Sequence, residues 1–313
     1  MRLVFMGTPS FAVPVLQALA AAPDVQVVGV YTPPDRPKGR GRPMEFPPVK
    51  SHAAAQGLRV FQPPNLRSEQ AQQELAGLEP DVIVVAAYGK LLPAQVLDTP
   101  AHGCLNLHPS MLPLYRGPSP VATAIVEGAA STGVTLMLLD QGMDTGPIIS
   151  QQGYPLSGRE TAETLTASLF QLGADLLLRC LAPWAAGRIE AQPQDDSRAT
   201  ATRKLERTDG QADWTLPALA LDRRCRAYSP WPGLFTRWEG RVLKLLDVTP
   251  LPRTGAPPVP PGQVTLLGSR DAPVGVGTGD GILGLRTVQV EGRRAMPAAE
   301  FLLGHPHFAG ARL

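Results

Sequence analysis

Leu105-Asn106-Leu107-His108-Pro109-Ser110-Met111-Leu112-Pro113 opens as a strand and stops at a proline. Cys104 to Leu107 is apolar enough for a buried strand, and in an extended chain side chains two apart share a face. Leu105 and Leu107 therefore pack to one side while Asn106 and His108 point together to the other. A second stretch, Asp140-Gln141-Gly142-Met143-Asp144-Thr145-Gly146, follows another apolar run, Val134 to Leu139. Upstream, Leu3 to Met6, Val25 to Tyr31 and Val82 to Ala87 read as strands, with Phe11 to Ala22, Val49 to Gln56 and Ser68 to Leu78 between them as helices. That alternation predicts an α/β fold with a doubly wound, mostly parallel sheet. Ligands of such sheets sit at the carboxyl ends of the strands, near a switch point. Asn106 and His108 lie at such an end.

The remainder of the chain changes character. A helix from Thr161 to Trp184 closes the first domain, and Gln192 to Thr202, with Pro193, Asp195, Asp196 and Ser197, reads as an exposed linker. After a helix over Leu216 to Ala227 come short segments at Leu234 to Trp238, Arg241 to Val248, Gly262 to Leu267, Val274 to Gly277 and Gly281 to Val290, broken by Gly and Pro. This is an all-β barrel pattern, smaller than the first domain, with Pro250 to Pro261 as a loop inside it. The expected division is residues 1–189, a linker over 190–208, and a second domain over 209–313.

With 313 residues, 43% of them hydrophobic and 18% charged, each domain has material for its own core. The opening Met1-Arg2-Leu3-Val4-Phe5-Met6-Gly7 has no apolar stretch long enough for a signal peptide or membrane span, so a cytoplasmic chain without membrane contact is expected. Cys104, Cys180 and Cys225 lack the spacing of a zinc site or a disulfide framework and read as buried thiols. The net charge of +2 divides into roughly +5 from Arg203 onward and roughly −3 before it, which makes the second part the better partner for a polyanion.

Asn106, His108 and Asp144 together suit acyl transfer to an amine. The amide donates to a carbonyl oxygen as it becomes negative, the imidazole polarises the carbonyl and moves protons, and the carboxylate holds the imidazole charged. Each residue also has a plainer reading. An isolated buried His is usually a hydrogen-bonded core residue, and Asp144, between Gly142 and Gly146, could simply hold a turn. Gly7-Thr8-Pro9-Ser10 follows a strand but lacks G-x-G-x-x-G spacing, and as a turn with Ser10 as N-cap it needs no ligand. His305 and His307, without a carboxylate partner, make a weak metal site. Pro230-Trp231-Pro232 reads as a rigid packing corner rather than a base-stacking platform.

The stretch from Asn106 to Gly117, taken with Gly133-Val134-Thr135 and Met143-Asp144-Thr145-Gly146, resembles the folate-dependent formyltransferases, and the likeness runs over nearly the whole chain. It includes Phe5-Met6-Gly7-Thr8-Pro9, Pro34-Asp35-Arg36-Pro37-Lys38-Gly39-Arg40-Gly41, Ala87-Tyr88-Gly89, Pro230-Trp231-Pro232 and Thr278-Gly279-Asp280-Gly281. Within the family the likeness is to members that formylate a charged initiator tRNA. The resemblance implies Asn106, His108 and Asp144 as catalytic residues, 10-formyltetrahydrofolate as formyl donor, no metal, an OB-like barrel as the second domain, and a monomer. It places the pterin against the Asp144 loop and Ala87, Tyr88 and Gly89, with Leu91 and Leu92 lining the same pocket. Ser110, Met111, Leu112 and Pro113 become the folate-binding signature, Met111 replacing a commoner leucine of similar volume. The two glycines beside Asp144 would let the backbone approach a flat ring.

The resemblance also assigns the basic loop, whose Arg36, Lys38, Arg40 and Arg42 would meet the tRNA acceptor end. Relatives often have another lysine where this chain has Pro43-Met44-Glu45-Phe46. Two other readings share these residues: a formyltransferase for an amino sugar nucleotide, and a nucleic-acid-binding protein with a dead formyltransferase domain. A small sugar substrate gives no reason for four clustered cations, and a dead domain gives none for an intact catalytic set.

Overall fold

The computed structural model describes residues 1–37, 44–252 and 259–313. The chain forms two compact units, one of Met1–Pro120, Ser131–Pro155 and Thr166–Thr202, the other of Val121–Ala130, Leu156–Leu165 and Arg203–Leu313. Its elements up to residue 185 run β1 (Arg2–Gly7), α1 (Val13–Ala21), β2 (Gln26–Tyr31), β3 (Arg36–Pro37), β4 (Met44–Glu45), α2 (Pro48–Ala55), β5 (Val60–Phe61), α3 (Glu69–Ala76), β6 (Val82–Ala86), α4 (Ala94–Leu97), β7 (Cys104–His108), α5 (Pro120–Glu127), β8 (Ser131–Leu138), β9 (Ile148–Pro155) and α6 (Ala162–Ala185).

Seven of these strands make one sheet in the order β5-β2-β1-β6-β7-β8-β9. The first five are parallel, and β8 and β9 continue antiparallel. The parallel strands are buried on both faces, as such strands must be when helices cover them. Leu3, Phe5, Val82, Val84, Leu105 and Leu107 face a core shared with Leu16 of α1 and Phe170, Ala174 and Leu177 of α6. Val4, Met6, Ile83, Val85 and Cys104 face the other side, where Leu75 of α3 packs. By length and composition α6 would pass for a membrane span, but the face carrying these residues is buried against the sheet.

From β1 the chain moves outward through β2 to β5, then returns to place β6 on the other flank of β1. The switch point therefore lies between the carboxyl ends of β1 and β6, and Thr8 Oγ1 donates to the Tyr88 carbonyl across it at 3.0 Å. The helix after β1 begins in a 3-10 turn whose N-cap position is Pro9, with no side-chain capping bond, so Ser10 does not cap it as expected.

The second unit contributes α7 (Ala218–Ala227), β10 (Leu234–Trp238), β11 (Arg241–Leu251), β12 (Val264–Leu266), β13 (Val274–Gly277), β14 (Ile282–Val290), β15 (Met296–Pro297) and α8 (Ala298–Gly304). Its strands form an antiparallel sheet, β10-β11-β14-β13-β12, with β15 on β14. Irregular register between Leu245 and Val248 bends the long β11, and the sheet curls into an OB-like half-barrel. Leu221, Leu245, Val276, Leu285 and Phe301 fill its core.

Two expectations fail in this unit. Pro250 and Leu251, read as loop, extend β11, with Pro250 opposite Leu283. Strand β10 ends its pairing at Leu245, so the Pro250 end of β11 has a partner on one side only, an edge position that tolerates proline. Trp231 does not pack as a corner: 54% of it is exposed, while Tyr228 and Leu234 on either side are buried.

Candidate active site

Strand β7 places Asn106 opposite Met137 and His108 opposite Thr135 of β8. Because Leu105 and Leu107 enter the core, the alternation turns Asn106 and His108 to the other face together. Asn106 is half-buried, and among the described residues its carboxamide has no hydrogen-bond partner. That leaves it free to donate to a ligand oxygen. His108, at the strand's end, is only 4% exposed.

Two contacts orient the imidazole. Its Nε2 lies 3.0 Å from the Tyr115 carbonyl, which can only accept, so Nε2 carries the proton. Nδ1 stands 3.6 Å from Asp144 Oδ2, and that oxygen also accepts the Gly117 N–H at 2.8 Å. Burial pushes the His108 pKa down, while the Asp144 charge and the Tyr115 carbonyl push it up. Burial wins, so the pKa lies below the ordinary imidazole value of 6.5. That direction runs against the expectation that Asp144 raises the His108 pKa overall.

The loop after β7 is held from beneath by Thr135. This buried hydroxyl donates to the Ser110 carbonyl at 2.7 Å and accepts the Leu112 N–H at 3.1 Å and the Gln151 amide at 2.8 Å. Gln151 also donates to the Leu112 carbonyl at 2.8 Å, and Ser110 Oγ to the Leu114 carbonyl at 2.6 Å. Of the four residues expected to contact folate, Ser110 and Leu112 are thus turned into the protein, and Met111 and Pro113 keep accessible surface. Met111 lies over Gly133, where any Cβ would meet its sulfur.

On the β6 side, Ala87 and Gly89 both have positive φ, 52° and 79°. Tyr88 between them sends its ring into the core, where burial pushes its hydroxyl pKa up to about 12. Only the backbone of this loop and Ala87 are left for a ligand. Leu92 packs against the same core, whereas Leu91 is 72% exposed.

The Asp144 loop is organised by Asp140, whose carboxylate accepts from the Gly142 N–H at 3.0 Å and the Thr145 hydroxyl at 2.8 Å. Asp144 itself has φ +56°, a conformation Asp tolerates better than most residues. A Cβ on Gly142 would strike Thr145 Oγ1, and one on Gly146 the Leu138 carbonyl. The loop's own packing therefore requires both glycines.

Sequence reasoning missed the contribution of 192–202. That segment is largely exposed, as expected, but it is not a free linker. Gln194 donates to the carbonyls of Asp144 at 2.8 Å and Gly146 at 2.7 Å, and accepts from Arg116 Nε at 2.9 Å and Nη2 at 2.8 Å. Thr200 Oγ1 accepts the Tyr115 N–H at 2.8 Å, and Thr202 N–H reaches the Arg116 carbonyl at 2.7 Å. No local motif marks these residues, because their partners lie some fifty to eighty-six positions earlier in the chain.

Of the basic loop, Arg36 pairs with Glu45 through the β3–β4 backbone. Lys38, Arg40 and Arg42 lie outside the described residues. Just before them, Lys50 and Gln62 both bond the Asp35 carboxylate and hold its pKa below the usual range. Near the carboxyl terminus His307 does have a carboxylate partner, Glu239 at 2.9 Å, and its ring stacks on Trp238. Among the described residues no group of three or more His, Cys, Asp or Glu is arranged to hold a metal.

Known proteins resemble the chain along its whole length. Residues 1–181 match the formyl transferase domain and residues 204–306 the formyl transferase C-terminal domain. A methionyl-tRNA formyltransferase of Roseiflexus sp. (strain RS-1) is 50% identical over 313 residues, covering 100% of this chain and 95% of that protein. One from Chloroflexus aggregans (strain MD-66 / DSM 9485) is 48% identical over 304 residues, 97% of each. Among solved structures, an N-formyltransferase from Helicobacter canadensis, in complex with folinic acid and dTDP-3-aminofucose, superposes with a TM-score of 0.66 at 16% identity, covering 94% of this chain and 99% of that one. HypX from Aquifex aeolicus, in complex with tetrahydrofolic acid, gives 0.64 at 20% identity, covering 96% of this chain and 47% of that one. The last two speak to the fold.

Proposed function

The chain belongs to the formyl transferase family through both of its domains, and from that premise we propose that it moves a formyl group from 10-formyltetrahydrofolate to the α-amino group of methionine carried by initiator tRNA, for translation initiation in the cytoplasm. The observation that carries this reading is the 50% identity over all 313 residues to a protein named for that reaction. The amino sugar nucleotide alternative has support from folds at 15–18% identity, and is not favoured.

In the proposed chemistry the neutral amine attacks the formyl carbon, and the Asn106 amide donates to the oxygen as it becomes an oxyanion. The amine proton passes to the His108–Asp144 pair. In this reading His108 takes it at Nδ1, and Asp144 Oδ2, 3.6 Å away, stabilises the imidazolium once it forms. When the tetrahedral intermediate collapses, the bond to the folate nitrogen breaks and the same proton goes to that nitrogen, so the enzyme returns to its starting state. Folate meets the surfaces left by Met111, Pro113, Ala87 and the Asp144 loop. The acceptor end of the tRNA meets the loop of Arg36, Lys38, Arg40 and Arg42. The protein acts as a monomer.

The acceptor is tested by offering methionyl-tRNA and a dTDP-amino sugar in one reaction with labelled formyl donor. Label on the tRNA alone supports the reading, and label on the sugar alone replaces it.

A further inference from the structure

We propose that Gln194 is a positioning residue for this transfer, setting the separation of His108 and Asp144 by tying the loop that holds one to the loop that carries the other. The inference rests on the functional reading above. Arg116, which Gln194 binds, sits between Tyr115, whose carbonyl holds His108 Nε2, and Gly117, whose N–H holds Asp144 Oδ2. The other end of the same amide grips Asp144 and Gly146 by their carbonyls.

The amide is used to capacity. A primary amide offers two donors and two acceptor lone pairs, and Gln194 donates twice and accepts twice at 2.7 to 2.9 Å. Arg116 is fixed further by Asp196 at 2.7 Å, so one end of the link is itself anchored. Gln194 touches no reacting group. It acts as the outer partners of a catalytic pair commonly do, by fixing orientation to within a fraction of an ångström.

Two substitutions separate the parts of this role. Gln194→Met keeps the volume and removes every bond. Gln194→Glu keeps an acceptor for Arg116 but sets oxygen against the Asp144 and Gly146 carbonyls. Each variant is measured for kcat, for KM toward folate and charged tRNA, and for titration of the His108 ring by NMR. The expected result is a fall in kcat of about 10- to 100-fold in both, with both KM values within about twofold of wild type. In Gln194→Met the His108 titration moves to lower pH, because the Asp144 charge is no longer held near it. Wild-type kcat and wild-type His108 titration in either variant, even with a lowered Tm, would overturn the proposal. A wild-type enzyme that formylates no tRNA strikes the functional reading instead, and the His108 titration still decides the role of Gln194.

Discussion

A single oxygen of Asp144, Oδ2, accepts the Gly117 backbone N–H at 2.8 Å and faces His108 Nδ1 at 3.6 Å. The backbone bond fixes the carboxylate. The approach to Nδ1 is longer than a hydrogen bond, so Asp144 acts on the ring through its charge, which raises the His108 pKa, while burial lowers it. Burial is the larger of the two effects, and the behaviour of the pair with pH follows from that.

His108 should titrate below 6.5, because burial outweighs the pull of Asp144. The rate constant kcat/KM should therefore rise with pH through an acid limb below that value, and Asp144→Asn should move the limb lower while reducing kcat. For stability, the unfolded chain binds more protons than the folded one between the folded His108 pKa and 6.5. Wild type should lose stability relative to His108→Gln as pH falls through that window, and the difference should level off below it. Urea unfolding across pH measures the second effect and ring NMR the first. A His108 titration at or above 6.5 would contradict both.

Asn106→Ala should lower kcat by about 10²- to 10³-fold, the usual cost of one oxyanion donor. Its half-buried amide has no partner among the described residues, so the substitution should leave Tm and the KM for folate nearly unchanged. A variant losing folate affinity as steeply as turnover would move Asn106 from the transition state to cofactor binding.

What could be read from the residues, and what could not, divides along physical lines. Parallel strands buried on both faces are apolar runs, so β6 and β7 stand out in Val82–Ala86 and Cys104–His108. The edge strand β9 has Ser150, Gln151, Gln152 and Gly153 in it and carries no such signal. Period-two alternation was enough to pair Asn106 with His108. It said nothing of Tyr88, because the positive φ at Ala87 breaks the strand's alternation just before that ring. Gln194 was invisible for a different reason: its partners are set by tertiary return of the chain, not by spacing. The direction of the His108 pKa shift could not be read either, because it depends on a balance between burial and charge, and burial is not written in a motif.

Thr135 is the buried support of the loop after β7. Thr135→Val keeps the shape but strands the Leu112 N–H and the Ser110 carbonyl, at about 1–3 kcal/mol for each group left without a partner. Thr135→Ser should cost far less, since the hydroxyl remains. Denaturant unfolding of the two variants tests this. Equal losses would mean that the methyl packing, not the hydroxyl, supports the loop.

Arg40→Ala should raise the KM for charged tRNA and flatten its salt dependence, since fewer counterions are released on binding, while the KM for folate stays put. Steady-state kinetics at several salt concentrations measure both. Equal changes toward tRNA and folate would mean that the loop shapes the cleft generally and would reopen the sugar nucleotide reading.

The most direct test of the account is transfer of labelled formyl from 10-formyltetrahydrofolate to purified tRNA charged with methionine, initiator and elongator in parallel. The account predicts label on the α-amino group of the initiator-bound methionine, little on the elongator, and none on either with His108→Ala. Absence of label from the initiator tRNA with the wild-type protein, or equal labelling by His108→Ala, would contradict it.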